Sequence, residues 1–122
     1  MTVELVKSKF HRARLTECAL DYEGSLGIDL DLLELVGMLP YEKILVVNAT
    51  NGERLVTYAI PAARGSKQFC LNGAAARRGA VGDVVTIMSF AMVSPEVAPG
   101  WKPKVAVFDA DNNVIATRAI EE

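Results

Sequence analysis

The chain has 122 residues, 51% of them apolar, with a formal net charge of -2 and a pI near 5.4. That length suits one domain, and the apolar share is too high for a disordered chain. The acidic balance and the lack of a basic block argue against a nucleic-acid surface, and no stretch approaches the length of a membrane span.

The opening run Met1-Thr2-Val3-Glu4-Leu5-Val6-Lys7 carries an acid and a lysine among its apolar residues, unlike a signal peptide, so a cytoplasmic protein is expected. Short, β-branched runs predict strands over 2–7, 10–16, 27–28, 44–49, 54–60, 68–71, 84–93, 105–108 and 114–117. One helix is signposted. Asp29 and Asp31 are both candidate N-caps, Asp31 has Glu34 three residues on as in a capping box, and Gly37 suits the position after the end. Asn51-Gly52 predicts a tight type I′ hairpin turn. The Ala74-Ala75-Ala76 run after Asn72-Gly73 predicts a single helical turn. Pro95, Pro99, Gly100 and Pro103 mark an irregular stretch, with Trp101 in it as a packing anchor.

Cys18 and Cys70 have apolar neighbours and no Cys-x-x-Cys spacing, and the chain has one histidine. They read as buried thiols, with no zinc site. Many short strands in so small a chain point to a closed β-barrel, which removes exposed strand edges. The thin core of such a barrel makes an oligomer the expected state.

The chemistry centres on Gly24-Ser25, in the run Asp21-Tyr22-Glu23-Gly24-Ser25-Leu26-Gly27. Glycine at 24 permits backbone conformations closed to other residues, and a strained peptide stores roughly 1–3 kcal/mol. The Ser25 hydroxyl can attack the Gly24 carbonyl and convert the amide to an ester. Intramolecular positioning replaces roughly 7–11 kcal/mol of bimolecular cost. Asn72 or the Thr57 hydroxyl are candidate donors to the oxyanion. Elimination from the ester frees the Gly24 carboxylate and leaves dehydroalanine. Hydrolysis then releases ammonia and leaves a pyruvoyl group on residue 25. The products are chains of residues 1–24 and 25–122.

A pyruvoyl ketone forms a Schiff base with an amine and accepts electrons as a carboxylate leaves, with neither a metal nor pyridoxal phosphate. A substrate with two carboxylates needs two cations, for which Lys9 and Arg54 are the candidates. Tyr58 is the candidate proton donor. His11 reads as a strand histidine with a local partner, and Tyr22 as a core residue. Strand alternation puts Thr57 and Tyr58 on opposite faces, so both serve one site only at a bend or between subunits.

The segments Lys9-Phe10-His11-Arg12, Leu20-Asp21-Tyr22-Glu23-Gly24-Ser25, Asn51-Gly52-Glu53-Arg54, Thr57-Tyr58-Ala59-Ile60, Arg64-Gly65-Ser66, Asn72-Gly73-Ala74-Ala75-Ala76 and Val81-Gly82-Asp83 occur in order along nearly the whole chain. In this the sequence resembles the pyruvoyl-dependent aspartate 1-decarboxylases, which make β-alanine for pantothenate. The resemblance implies a mainly β, double-psi β-barrel with short helices, one domain over 1–122, assembled as a homotetramer with sites at subunit interfaces. It implies that Ser25 becomes the pyruvoyl and that Gly24, Thr57 and Asn72 take part in cleavage. It also implies that Tyr58 donates the proton, that Lys9, Arg54 and Thr57 contact L-aspartate, and that the backbone of Gly73, Ala74 and Ala75 lines the pocket. His11 and Tyr22 are possible supporting residues. The sequence departs from better-known members at Arg77-Arg78 (His-Cys there), Val47 (Trp in some) and Thr86 (Ile in many). Two alternatives stay open: a pyruvoyl decarboxylase of another amino acid such as glutamate, and a non-catalytic barrel that binds a ligand or partner. Whether cleavage needs a maturation factor is also open.

Overall fold

The computed structural model describes residues 1–120. In chain order the strands and helix are β1 (Val3–Arg14), β2 (Glu17–Ala19), β3 (Ser25–Asp29), α1 (Leu30–Val36), β4 (Lys43–Asn48), β5 (Arg54–Ala62), β6 (Phe69–Asn72), β7 (Val84–Val93), β8 (Lys104–Phe108) and β9 (Val114–Arg118). Short 3₁₀ segments span Gly73–Arg78 and Ala98–Gly100.

The strands form one mixed sheet in the order β2-β6-β3-β5-β4-β7-β1-β8-β9. The pairs β1–β8, β2–β6 and β3–β5 are parallel and the rest antiparallel. The sheet closes through the chain itself. β1 runs on through Leu15 and Thr16 into β2, and the Leu15 and Thr16 N–H groups donate to the Asp83 and Phe69 carbonyls at 3.0 and 2.9 Å. The chain thus ties β1 and β7 back to β6 near the other end of the strand order, and the mainly β barrel expected from the sequence is the architecture found. Its interior is filled by Phe10, Phe69 and Phe108, whose ring centroids lie 5.5–5.8 Å apart, with Leu26, Ile28, Ile44, Val46 and Ile87 around them. α1 seals one end with Leu32, Leu33 and Val36.

Several local expectations are corrected. The two strands predicted over 2–7 and 10–16 are one 12-residue strand, because bulges between Val6 and Ser8 and between Phe10 and Ala13 absorb the breaks in alternation. The N-cap is Asp29, whose Oδ1 accepts from the Asp31 N–H at 2.9 Å; Asp31 and Glu34 form no capping box and both bind Arg64. Gly37 does end the helix in the left-handed region, with its own N–H on the Glu34 carbonyl and the Met38 N–H on the Leu33 carbonyl. Between β4 and β5 the turn is wider than type I′: only Gly52 has positive φ, its N–H donates to the Asn48 carbonyl, and Asn48 Oδ1 accepts from Thr50 and Asn51. Ala74–Ala76 lie in the expected helical turn. Both cysteines are free thiols, Cys70 buried and Cys18 half-buried. Trp101 anchors its stretch by donating from Nε1 to the Val6 carbonyl at 2.7 Å. Among the described residues no helix is long and apolar enough to cross a membrane.

Candidate active site

Ser25 is the first residue of β3, whose five residues are all buried. β3 pairs antiparallel with β6, which sets Ser25 opposite Asn72 and Gly27 opposite Cys70. Directly opposed residues share a sheet face, so the Ser25, Asn72 and Cys70 side chains meet on one side. Ser25 is 2% exposed. Its hydroxyl donates to the Glu23 carbonyl at 3.3 Å and accepts from Asn72 Nδ2 at 3.1 Å. Asn72 Oδ1 in turn accepts from the Cys70 thiol at 3.1 Å. Burial first, and then the Glu17 carboxylate, push that thiol up to about 11.

Gly73 follows at once with φ 67. A Cβ there would lie 2.6–2.8 Å from the Gly24 nitrogen, the Gly24 Cα and the Tyr22 carbonyl. The 22–24 segment therefore rests directly on the end of β6, and only glycine leaves room for it. Gly24 itself is not in the left-handed region, and a Cβ on it would meet nothing within 4 Å. The conformational freedom expected of Gly24 is thus used at Gly73 instead.

A cleft of about 700 Å³ opens over Ser25, with Tyr22, Glu23, Tyr58 and Asn72 in its lining. Tyr58, Ile60, Pro61 and Ala62 line it from β5, Tyr58 and Ile60 two residues apart on one face. Thr57 lies on the other face of β5 with Leu55 and Ala59, which pack into the core. Within one chain the two neighbours are therefore separated as alternation foretold. Tyr22 is not core: it is 68% exposed at the cleft, because the tight 22–24 segment leaves its ring outside. His11 lacks the expected partner, since its Nδ1 is buried without a hydrogen bond. Burial, followed by Lys9, Arg12 and Arg118, holds the imidazole below its ordinary value.

Neither Lys9 nor Arg54 lines the cleft, nor do Ala74 and Ala75. Lys9 sits in mid-β1 opposite Met88 and Val105. Arg54 opens β5, where its carbonyl accepts from Arg78 at 3.1 Å. The charged lining residues are Glu17 and Glu23, both acidic. One chain thus assembles the hydroxyl, the amide and a phenol, and leaves the cations elsewhere. Among the lining residues that the sequence did not mark as site residues, Cys70 and Tyr41 stand beside those it did. Cys70 was legible only as a buried thiol. Tyr41 has φ 69, and its ring lies 6.2 Å from that of Tyr58. A bulky residue in the left-handed region is an outlier that no residue pattern announces. Among the described residues no group of His, Cys, Asp and Glu could hold a metal ion.

A family model described as aspartate decarboxylase matches residues 1–115. The chain belongs to the aspartate decarboxylase family. It is 56% identical over 110 residues to the aspartate 1-decarboxylase of Bacillus licheniformis, covering 90% of this chain and 87% of that one. It is 49% identical over 118 residues to the aspartate 1-decarboxylase of Geobacillus sp., covering 97% and 92%. To that of Salinibacter ruber it is 46% identical over 121 residues, covering 99% and 83%. Val47, Thr86 and Arg78, singled out in the sequence, lie around Arg54. Val47 pairs with Arg54 on one side and with Thr86 on the other, and Arg78 reaches both the Arg54 carbonyl and Glu53.

Proposed function

We propose that the chain is a self-processing L-aspartate 1-decarboxylase. It cuts its backbone between Gly24 and Ser25 and then forms β-alanine and carbon dioxide, the β-alanine serving pantothenate synthesis. The observation that carries this reading is the buried Ser25 hydroxyl, bridged to Asn72 Nδ2 at 3.1 Å and to the Glu23 carbonyl at 3.3 Å where the chain turns from an exposed loop into β3. The hydroxyl is held against the backbone just before the bond to be cut, which favours intramolecular attack. Asn72 supplies an N–H donor for charge that develops there.

The residues present fit a pyruvoyl group at position 25. It would be shielded on β3, beside the Asn72 Nδ2 donor and below an open cleft. Once formed, such a group supplies a ketone that captures the substrate amine and draws electrons as the carboxylate departs. The rest falls to the side chains. The Tyr58 phenol faces the cleft and donates a proton to the substrate carbon. Gly73, Ala74 and Ala75 offer backbone at the edge of the site. Lys9 and Arg54 hold the two carboxylates. Since the cleft of one chain is lined by Glu17 and Glu23, these cations and Thr57 come from a neighbouring subunit of a homotetramer. A cytoplasmic setting accords with this metabolic role.

Intact-mass measurement of purified protein tests the reading. Two fragments split after Gly24 are expected, the larger without a normal N-terminal amine. The Ser25→Ala variant should stay whole and inactive. An uncut Ser25→Ala chain that still decarboxylated aspartate would reject the mechanism. Competition between aspartate and glutamate fixes the substrate, since one methylene is worth roughly 1–3 kcal/mol of discrimination.

A further inference from the structure

We infer that Cys70 is a positioning residue for the backbone cut: its thiol fixes which way round the Asn72 amide sits and so aims Nδ2 at Ser25. This rests on the self-processing reading above. Cys70 and Asn72 stand two residues apart on one face of β6, both buried. The thiol donates to Asn72 Oδ1, and the same amide donates from Nδ2 to Ser25 Oγ, both at 3.1 Å.

An asparagine amide has nearly the same shape either way round, so its neighbours decide its orientation. On the serine side stands a hydroxyl, which both donates and accepts and therefore selects neither orientation. On the other side stands Cys70. With its thiol pushed up to about 11, chiefly by burial, the group keeps its proton at neutral pH and presents a donor. That donor requires the amide oxygen, and the NH₂ end is left for Ser25. The Glu17 carboxylate is a competing acceptor for the same proton, and Gln68 Nε2 already donates to it at 3.3 Å.

The orientation matters because attack by the serine hydroxyl places negative charge on the Gly24 carbonyl oxygen. An N–H beside the attacking group stabilises that charge, whereas an amide oxygen in its place would repel it. Cys70 touches neither the scissile bond nor the hydroxyl, and its effect passes through Asn72.

The test follows cleavage of freshly translated chain by quenched time points and intact mass, for the parent and for Cys70→Ser, Cys70→Val and Cys70→Ala. Serine keeps a donor, valine fills space without one, and alanine does neither. Loss of one buried hydrogen bond predicts about threefold to tenfold slower cleavage for the valine and alanine variants. The serine variant should stay within about twofold of the parent, on the same allowance for one hydrogen bond retained. Melting of each variant in an uncleavable Ser25→Ala background shows whether the barrel is intact. Should the alanine variant not fold, the valine and serine pair decides. Parental cleavage in the valine variant, or a serine variant as slow as valine, overturns the inference and leaves the self-processing reading standing. A parent chain that never cleaves removes both.

Discussion

Gly73 carries more of the local geometry than Gly24, the residue before the proposed cut. Its φ of 67 and the 2.6–2.8 Å space left for its missing Cβ mean that a methyl group there would push the 22–24 segment off β6. Gly73→Ala is therefore expected to lose about 1–3 kcal/mol in urea unfolding, and to slow cleavage as well. Gly24→Ala, in the uncleavable Ser25→Ala background, should unfold within about 0.5 kcal/mol of its parent, because neither φ nor space demands glycine there. Ser25, Asn72 and Tyr58 were legible in the sequence because hydroxyl, amide and phenol announce their chemistry by type. The duty of Gly73 was not, because it depends on a segment some fifty residues earlier settling on top of it. The Tyr41 ring beside Tyr58 escaped for a similar reason: its place comes from a backbone torsion.

Among the elements, α1 shows what local signals can and cannot settle. Its existence and its terminal glycine followed from the sequence, whereas the choice of cap did not. Asp29 wins because it also accepts from the Gly65 N–H at 3.0 Å and the Lys67 N–H at 2.9 Å, donors on a loop more than thirty residues away. Asp29→Ala should cost about 2 kcal/mol or more in urea unfolding, since it leaves cap and loop donors unmatched. Asp31→Ala removes only an exposed pair with Arg64 and should cost less than about 1 kcal/mol. On β1, His11 gives a pH signature. Its folded-state value lies below the usual 6.5, through burial and then the neighbouring Lys9, Arg12 and Arg118. The unfolded chain thus takes up the proton first, so stability is full above about pH 6.5 and declines as pH falls below it. A His11→Gln variant should show a flatter dependence of melting temperature on pH between about 6.5 and 5, above the range where carboxylates titrate.

The whole molecule was partly written in local pattern. Alternation located most of the strands, and their number called for closure. The order in which they pair was not legible, because β1 and β8, or β3 and β5, are distant in sequence and run parallel. The three-residue β2 is too short to show a period at all. At this scale the acidic lining of the cleft yields a further prediction. Co-expressed Ser25→Ala and Arg54→Ala chains, each inactive alone, should regain part of the decarboxylase activity when they assemble together. No recovery would place Arg54 and Ser25 of a single site on the same chain. The placing of β1 reaches further still. It lies between β7 and β8 and sends Phe10 and Ala13 into the interior, with Leu15 following directly, yet all of it precedes the bond after Gly24. Severing that bond would not set the front piece free. It would stay threaded through the larger one as a non-covalent rivet, so that denaturing electrophoresis sees two bands while a native column sees a single species.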